Sequence, residues 1–276
     1  MRLSFHKFVA MIKKISLVKG LVVIGLILGL GNLSSCGDST EDPHTLSFKQ
    51  KEADSYVAYL ATKPDSAGLR LLTAQKLDSV GRYEASLLHI DTLIQEDSSK
   101  YGLWLAKGNV LLDSGDTIAA LGAFDRALSR YRGEEALLAI GKIYAAQQND
   151  TALAVASSIS TNPVYENYIK GYYYAQKGNQ DSAGNYLDKS LHADPGFLSA
   201  YSAKAKLLLG AGKVEAAHAL IKEGLRQAES SYELLNLLAA SYEKSGQPDS
   251  AKRYYQQSLR IKPFQPIIQD KNSGTK

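Results

Sequence analysis

The feature that most constrains this 276-residue chain is a repeat. Gly81, Gly115, Asn149, Gly178, Gly212 and Gly246 fall 34 residues apart, except for one interval of 29. Other columns keep step with them. Seven residues before the turn stands a small residue, Ala74, Gly108, Gly171, Ala205 or Ala239, and three after it comes Leu77, Leu111, Tyr174, Leu208 or Tyr242. Past the turn, Ser86, Ala120, Ala183, Ala217 and Ala251 are followed four positions on by Ile90, Phe124, Leu187, Ile221 and Tyr255, while Pro64, Pro195 and Pro263 close units. Apolar positions at i, i+3 and i+4 on both sides of each turn specify a pair of amphipathic helices. Small residues are required where the two helices cross closely. Gly supplies the permissive backbone at the end of the first helix, and Pro stops the second because it cannot continue a helix. A single helix pair cannot bury its own apolar face, so successive pairs must stack into an all-α solenoid.

These columns resemble the tetratricopeptide repeat (TPR) family. The resemblance implies a right-handed superhelix of six helix-turn-helix units over residues 67–265, preceded by a half unit at 47–66 that Pro64 closes, and followed by a tail at 266–276. Trp104-Leu105-Ala106-Lys107-Gly108 is the fullest copy, with Lys107 in place of the family's Leu. Unit three, 134–163, runs out of step: Gly141 and Tyr144 come one position early and the second helix is about five residues short. A bend is predicted there. Asp181, Asp249 and their neighbouring serines are expected to N-cap the second helices.

The N-terminal segment carries an address. Residues 1–35 hold Arg2, Lys7, Lys13, Lys14 and Lys19 and no acid, then an apolar run from Leu21 to Leu30, then Leu33-Ser34-Ser35-Cys36. The layout resembles a bacterial lipoprotein signal peptide, and the run falls short of the ~20 residues that span a bilayer. The resemblance implies removal of residues 1–35, lipidation of Cys36 and, with Gly37 next, an outer-membrane destination facing the periplasm or the cell surface. A retained membrane anchor, or a cytoplasmic protein with a misleading N-terminus, is the alternative. Cys36 is the sole cysteine, so no disulfide contributes to stability. Residues 36–46 read as a flexible tether, and its acidic stretch Asp38-Ser39-Thr40-Glu41-Asp42 resembles the surface-export signals of Bacteroidota lipoproteins. Without the leader the balance is 27 basic to 28 acidic side chains. Nucleic acid, which demands a concentrated positive face, is not an expected partner. Asp followed by Ser or Thr recurs along the chain and resembles the O-glycosylation sequon of Bacteroidota envelope proteins, with Ser39 in the tether and Thr117 as the candidate sites. Helix capping is the competing explanation for the copies between helices.

Signs of chemistry are absent. His6, His44, His89, His192 and His218 stand at no metal-ligand spacing, there is no nucleophile elbow, and Gly212-Lys213 lacks the upstream glycine of a phosphate loop. No enzyme activity, cofactor or metal is expected; Glu134-Glu135 and the pair Glu229 and Glu233 read as helix N-termini and a solvated face. In the TPR family the second, fifth, ninth and twelfth positions of each unit face a concave groove. Counted from Ala67, Tyr101, Val164, Leu198 and Tyr232, these include Gln75, Asn109, Ser202, Lys206, Asn236 and Glu243, with Lys142 as counterpart in unit three. Tyr165, Tyr168 and Tyr172 form an aromatic stripe in unit four, which either offers contact area to a protein or peptide partner or packs beside the shortened unit. Tyr173 and Tyr174 are assigned to the core. The resemblance to the carboxylate clamp of chaperone-binding members extends only to Asn109 and Lys142 or Lys206. At the other end, Ile261-Lys262-Pro263-Phe264-Gln265-Pro266-Ile267-Ile268 leaves no room for a capping helix. Either the tail folds back over the apolar edge, or the edge pairs with a second copy as a homodimer.

The layout resembles pilotins of pilus secretins, adaptors of envelope proteases and peptidoglycan enzymes, and TPR lipoproteins of Bacteroidota. All imply a membrane-tethered scaffold that binds a protein or peptide. An accessory enzyme site within the groove is the rival.

Overall fold

A computed structural model describes residues 44–273 of the chain. The described residues form fourteen helices and no strand. A leading helix α1 (Leu46–Ala61) precedes six pairs. These are α2 (Ala67–Ser79) with α3 (Tyr83–Glu96), α4 (Tyr101–Asp113) with α5 (Thr117–Leu128), and α6 (Glu134–Ala146) with α7 (Thr151–Ser158). They continue as α8 (Pro163–Gln176) with α9 (Gln180–Ala193), α10 (Leu198–Gly210) with α11 (Val214–Gln227), and α12 (Tyr232–Lys244) with α13 (Pro248–Ile261). A last helix, α14 (Pro266–Ser273), follows. The architecture is the TPR superhelix.

Each pair is locked at its crossing by size complementarity. Ala74, Ala205 and Ala239 have no exposed surface, and Ile90, Phe124, Leu187, Ile221 and Tyr255 are buried against the small column. A Cβ placed on Gly108 would lie 2.4 Å from a Phe124 ring carbon, and one on Gly171 2.7 Å from Leu187 Cγ. Glycine stands where the opposing side chain leaves no room for a methyl group. Burial of each large residue contributes about 1.5–3 kcal/mol.

The turn after each first helix is a Schellman motif. Residues 82, 116, 149, 179, 213 and 247 donate their backbone N–H to the carbonyls of Leu77, Leu111, Tyr144, Tyr174, Leu208 and Tyr242, each at 2.9 Å. The residue before each donor takes the left-handed conformation, as Gly81 does at φ +78°. In unit three this residue is Gln148, φ +56°, and not Asn149. The whole of α6 is therefore one residue early. The shortfall then appears in α7, eight residues long where the other second helices have twelve to fourteen. With so little of α7 between them, α6 and α8 meet directly: a Cβ on Gly141 would lie 2.5 Å from Ile169 Cδ1.

Capping is partly displaced from its expected residues. Asn179 caps α9 by accepting from Ser182 N (3.0 Å), which leaves Asp181 inside the first turn. Asp249 likewise lies in the first turn of α13, behind Pro248. Both carboxylates act on the helix dipole instead of capping.

A further small column lies in the second helices. Ser190 and Ser258 are fully buried, and their hydroxyls donate to the carbonyls of Val164 (2.9 Å) and Tyr232 (3.2 Å) at the start of the partner helix. In the same column Gly224 is pressed between Leu234 and Tyr201. Ser86 Oγ makes the equivalent bond near the crossing, to Ala74 O at 2.8 Å. Lys107, the departure from the family's Leu, donates to Asp91 of the preceding unit at 2.6 Å, and Lys204 pairs with Asp188 at the corresponding place.

The tail does contain a helix. Ile268 of α14 packs beside Ala239, Ala251 and Tyr255, so the apolar edge of the last pair is covered from within the chain. Lys271 donates to Glu243 (2.7 Å) and lies over the Tyr255 ring, while the Gln265 amide donates to Lys262 O (2.7 Å) and Ser258 Oγ (3.0 Å).

Candidate functional site

The first helices of the pairs stand side by side, and their charged residues sense one another. Burial holds the Lys142 ammonium below its ordinary range, with Lys206 adding repulsion and Glu233 and Asp113 opposing it. Those four side chains come from α6, α10, α12 and α4. In a superhelix the first helices form the inward-curving face, which brings side chains of α4, α10 and α12 within electrostatic range of Lys142 on α6. Lys142 is nevertheless open to water. It stands on the floor of a solvated concavity.

The sequence-predicted groove residues separate into three groups. Gln75, Asn109, Lys142 and Lys206 are exposed, and neither Lys142 nor Lys206 has an ion pair or hydrogen-bond partner among the described residues. Asn236 and Glu243 are already engaged by the C-terminal segment: Asn236 Nδ2 donates to Gln265 Oε1 at 2.7 Å, and Glu243 holds Lys271. Ser202 is buried, its hydroxyl unpartnered.

The tyrosine stripe is mostly packing. Tyr168 is 4% exposed; its ring meets Phe197 edge to face at 5.1 Å and stacks on Tyr172 at 6.1 Å. Burial pushes its hydroxyl above the ordinary phenol range. Tyr165 leans on the same Phe197 at 5.5 Å. Like Tyr165, Tyr172 is half-buried and keeps an open edge. It lines a cleft of about 290 Å³ with Gln176, Ala203, Lys206 and Leu207. Tyr173 is core, as expected, its hydroxyl donating to Asp150, whereas Tyr174 is half-buried and stacked on Tyr186.

Three residues of the concave face escaped the sequence reading. Glu233, read as part of a solvated face, turns inward toward Lys142, and Tyr232 OH donates to it at 3.1 Å. Asp78 and Asp113 face each other across α2 and α4, and burial, followed by Asp113, pushes Asp78 up to about 6 against the pull of Lys262. Asp78 and Glu233 are the twelfth and second positions of their units, so the counting rule that named Gln75 reaches them as well. The concave face is richer in titratable groups than tyrosine, asparagine and isolated lysine.

Among the described residues no group of three or more His, Cys, Asp or Glu is arranged to hold a metal. His89 and His218 are half-buried on helices, and burial holds both below the usual imidazole range. Thr117 opens α5, where Asp116 caps Ala119 N at 3.0 Å, so capping accounts for this Asp-Thr pair. Cys36 and Ser39 lie outside the described residues.

Models of the tetratricopeptide repeat match residues 105–157, 167–197 and 202–266. Among solved structures, a tetratricopeptide repeat protein from Parabacteroides merdae superposes with a TM-score of 0.60 at 16% identity, over 82% of this chain and 92% of that one. The structure of the APC/C hetero-tetramer Cut9-Hcn1 gives 0.53 at 15% identity, over 84% of this chain and 47% of that one. No curated protein matches the sequence. Likeness at these identities speaks for the fold alone.

Proposed function

Since this chain belongs to the tetratricopeptide repeat family, whose fold typically serves as a protein–protein interaction scaffold, we propose that it is a non-catalytic adaptor that takes a protein or peptide segment on its concave face. The observation that carries this reading is the pair Lys142 and Lys206. Both are exposed, neither is neutralised by a fixed partner, and Lys206 stands at the rim of the Tyr172 cleft. Several other lysines of the first helices are paired, as Lys76 is with Glu52 and Lys107 with Asp91, while Lys244 stands at the end of α12. Leaving two cations unpaired and near each other is unfavourable in the free protein, and a bound carboxylate or carbonyl-rich segment relieves it. Tyr172 adds a flat apolar contact with few degrees of freedom to lose.

The same reading places the scaffold on the envelope membrane through lipid on Cys36, with a spacer shorter than the expected 36–46, since Thr45 already caps α1 and His44 bonds to Arg260. The motif Leu33-Ser34-Ser35-Cys36 supports this. Assembly of an envelope machine in the manner of a pilotin is one form the scaffold role takes, and Ser39 is its proposed glycosylation site.

Crosslinking and pull-down from intact cells test the reading. The wild-type chain is expected to recover a partner that the Lys142→Ala/Lys206→Ala variant loses at unchanged melting temperature; equal recovery by both would remove the concave face as the binding surface. Cys36→Ala separately tests the anchor through loss of detergent-phase partitioning.

A further inference from the structure

The two ends of the solenoid touch. Phe264, between α13 and α14, lays its ring on the backbone of Gly81 so closely that a Cβ there would come within 2.4 Å of two ring carbons. The same ring meets Tyr83 edge to face at 6.2 Å. Beside it Lys262 Nζ lies 3.8 Å from Asp113 Oδ2, and His44 Nδ1 donates to Arg260 O at 3.1 Å. Contacts of this sequence separation are foreign to a solenoid, whose units meet only their neighbours.

We propose that the Lys262–Phe264 segment is a reversible clasp, which holds the superhelix shut end to end and thereby limits what reaches Lys142 and Lys206. The proposal deepens the adaptor reading and rests on the concave face being the working surface. Three features make the contact suited to opening. Its contacts include one aromatic ring, one half-exposed ion pair and one hydrogen bond from the His44 side chain to a backbone carbonyl, and little of the apolar burial that joins consecutive pairs. Lys262 and Asp113 sit at the long end of ion-pair distance, where a surface pair contributes little. Asp78 lies close by with Oδ1 buried and unpartnered. It faces Asp113 of α4 and Lys262 of the clasp, and its charge in turn acts on Tyr83 of α3. Lys262 is the clasp group that acts on this carboxylate, and it attracts the ionised form, so part of the contact is held by charge and yields to salt.

The test reads the accessibility of a lysine and needs no knowledge of the partner. Full-length protein is treated at pH 7.5 with a bulky amine-acylating reagent, and modification of Lys142 is followed by mass spectrometry against Lys222, an exposed lysine of α11 that serves as internal standard. Phe264→Ala is expected to raise the Lys142 to Lys222 ratio several-fold. Asp78→Asn, which removes the charge that attracts Lys262 and leaves the shape, is expected to raise the ratio by a smaller factor. Melting temperatures close to wild type distinguish gating from unfolding, since a misfolded variant raises the ratio and also melts early. Equal ratios in all three proteins, or a rise only in a variant that melts early, would overturn the clasp. Neither result bears on whether Lys142 and Lys206 bind a partner, which the pull-down decides separately.

Discussion

Tyr168 meets Phe197 edge to face with ring centroids 5.1 Å apart, and this contact joins α8 to the entry of α10. The pairing assigns the middle of the tyrosine stripe to the interior. Tyr168→Ala is expected to cost about 3–5 kcal/mol, the usual range for truncating a buried aromatic. Tyr172→Ala, which removes a stacked but half-open ring, is expected to cost about 1 kcal/mol and to weaken partner capture. Urea denaturation of the two variants checks the difference, and equal losses would mean that Tyr172 is as structural as Tyr168.

Gln148 carries a left-handed backbone, φ +56°, at the turn where five other units use glycine. That conformation costs a side chain about 1–2 kcal/mol, of which the greater unfolded-state freedom of glycine takes back about 0.5–1. Gln148→Gly is accordingly expected to raise stability by up to about 1 kcal/mol, measured as a higher denaturation midpoint at constant slope. A lower midpoint would show that the Gln148 side chain makes a contribution larger than the strain it incurs.

Gly108 and Phe124 form a size-matched pair whose equivalents elsewhere are Ala74 with Ile90 and Ala205 with Ile221. Gly108→Ala alone forces a methyl group into the Phe124 ring and is expected to cost about 1–3 kcal/mol. Combined with Phe124→Ile it recreates the alternative pair, so the double variant is expected to be more stable than the sum of the single changes implies. Additive losses would argue against the complementarity of the crossing.

His89 and His218 both titrate below the ordinary imidazole range because they are partly removed from water. A group whose folded-state pKa is lowered stabilises the fold above its unfolded pKa, and the stabilisation is lost as pH falls through about 6.5 toward the folded value. Replacing both by Gln is expected to reduce the loss of stability between pH 7.5 and 5.5, as seen in urea midpoints across that range. An unchanged pH dependence would place its origin elsewhere.

The repeat columns carried the fold because each reports a local steric demand. A left-handed turn selects Gly, and a crossing selects Ala or Gly opposite a large apolar residue. Unit three was legible as an irregularity, yet Asn149 attracted the turn assignment that belongs to Gln148, since Asn tolerates positive φ better than Gln and stood in the 34-residue register. The buried hydroxyls of Ser190 and Ser258 were missed although their column repeats with the same period, because serine in a second helix reads as surface. The concave face was harder to read. Position counting puts a residue on the inner face but does not reveal what fills it: Phe197, just ahead of α10, covers Tyr168, and Gln265 occupies Asn236. The helix after Pro266 was missed because its eight residues lie at the lower limit of what periodicity can detect.

The eight-residue α7 gives the molecule a distinct middle. In a uniform solenoid every step is interchangeable, so units can be duplicated, deleted or exchanged with only a proportional change in length. Here the step between α6 and α8 is unlike the others, and the pairs before and after it are inequivalent even where their columns agree.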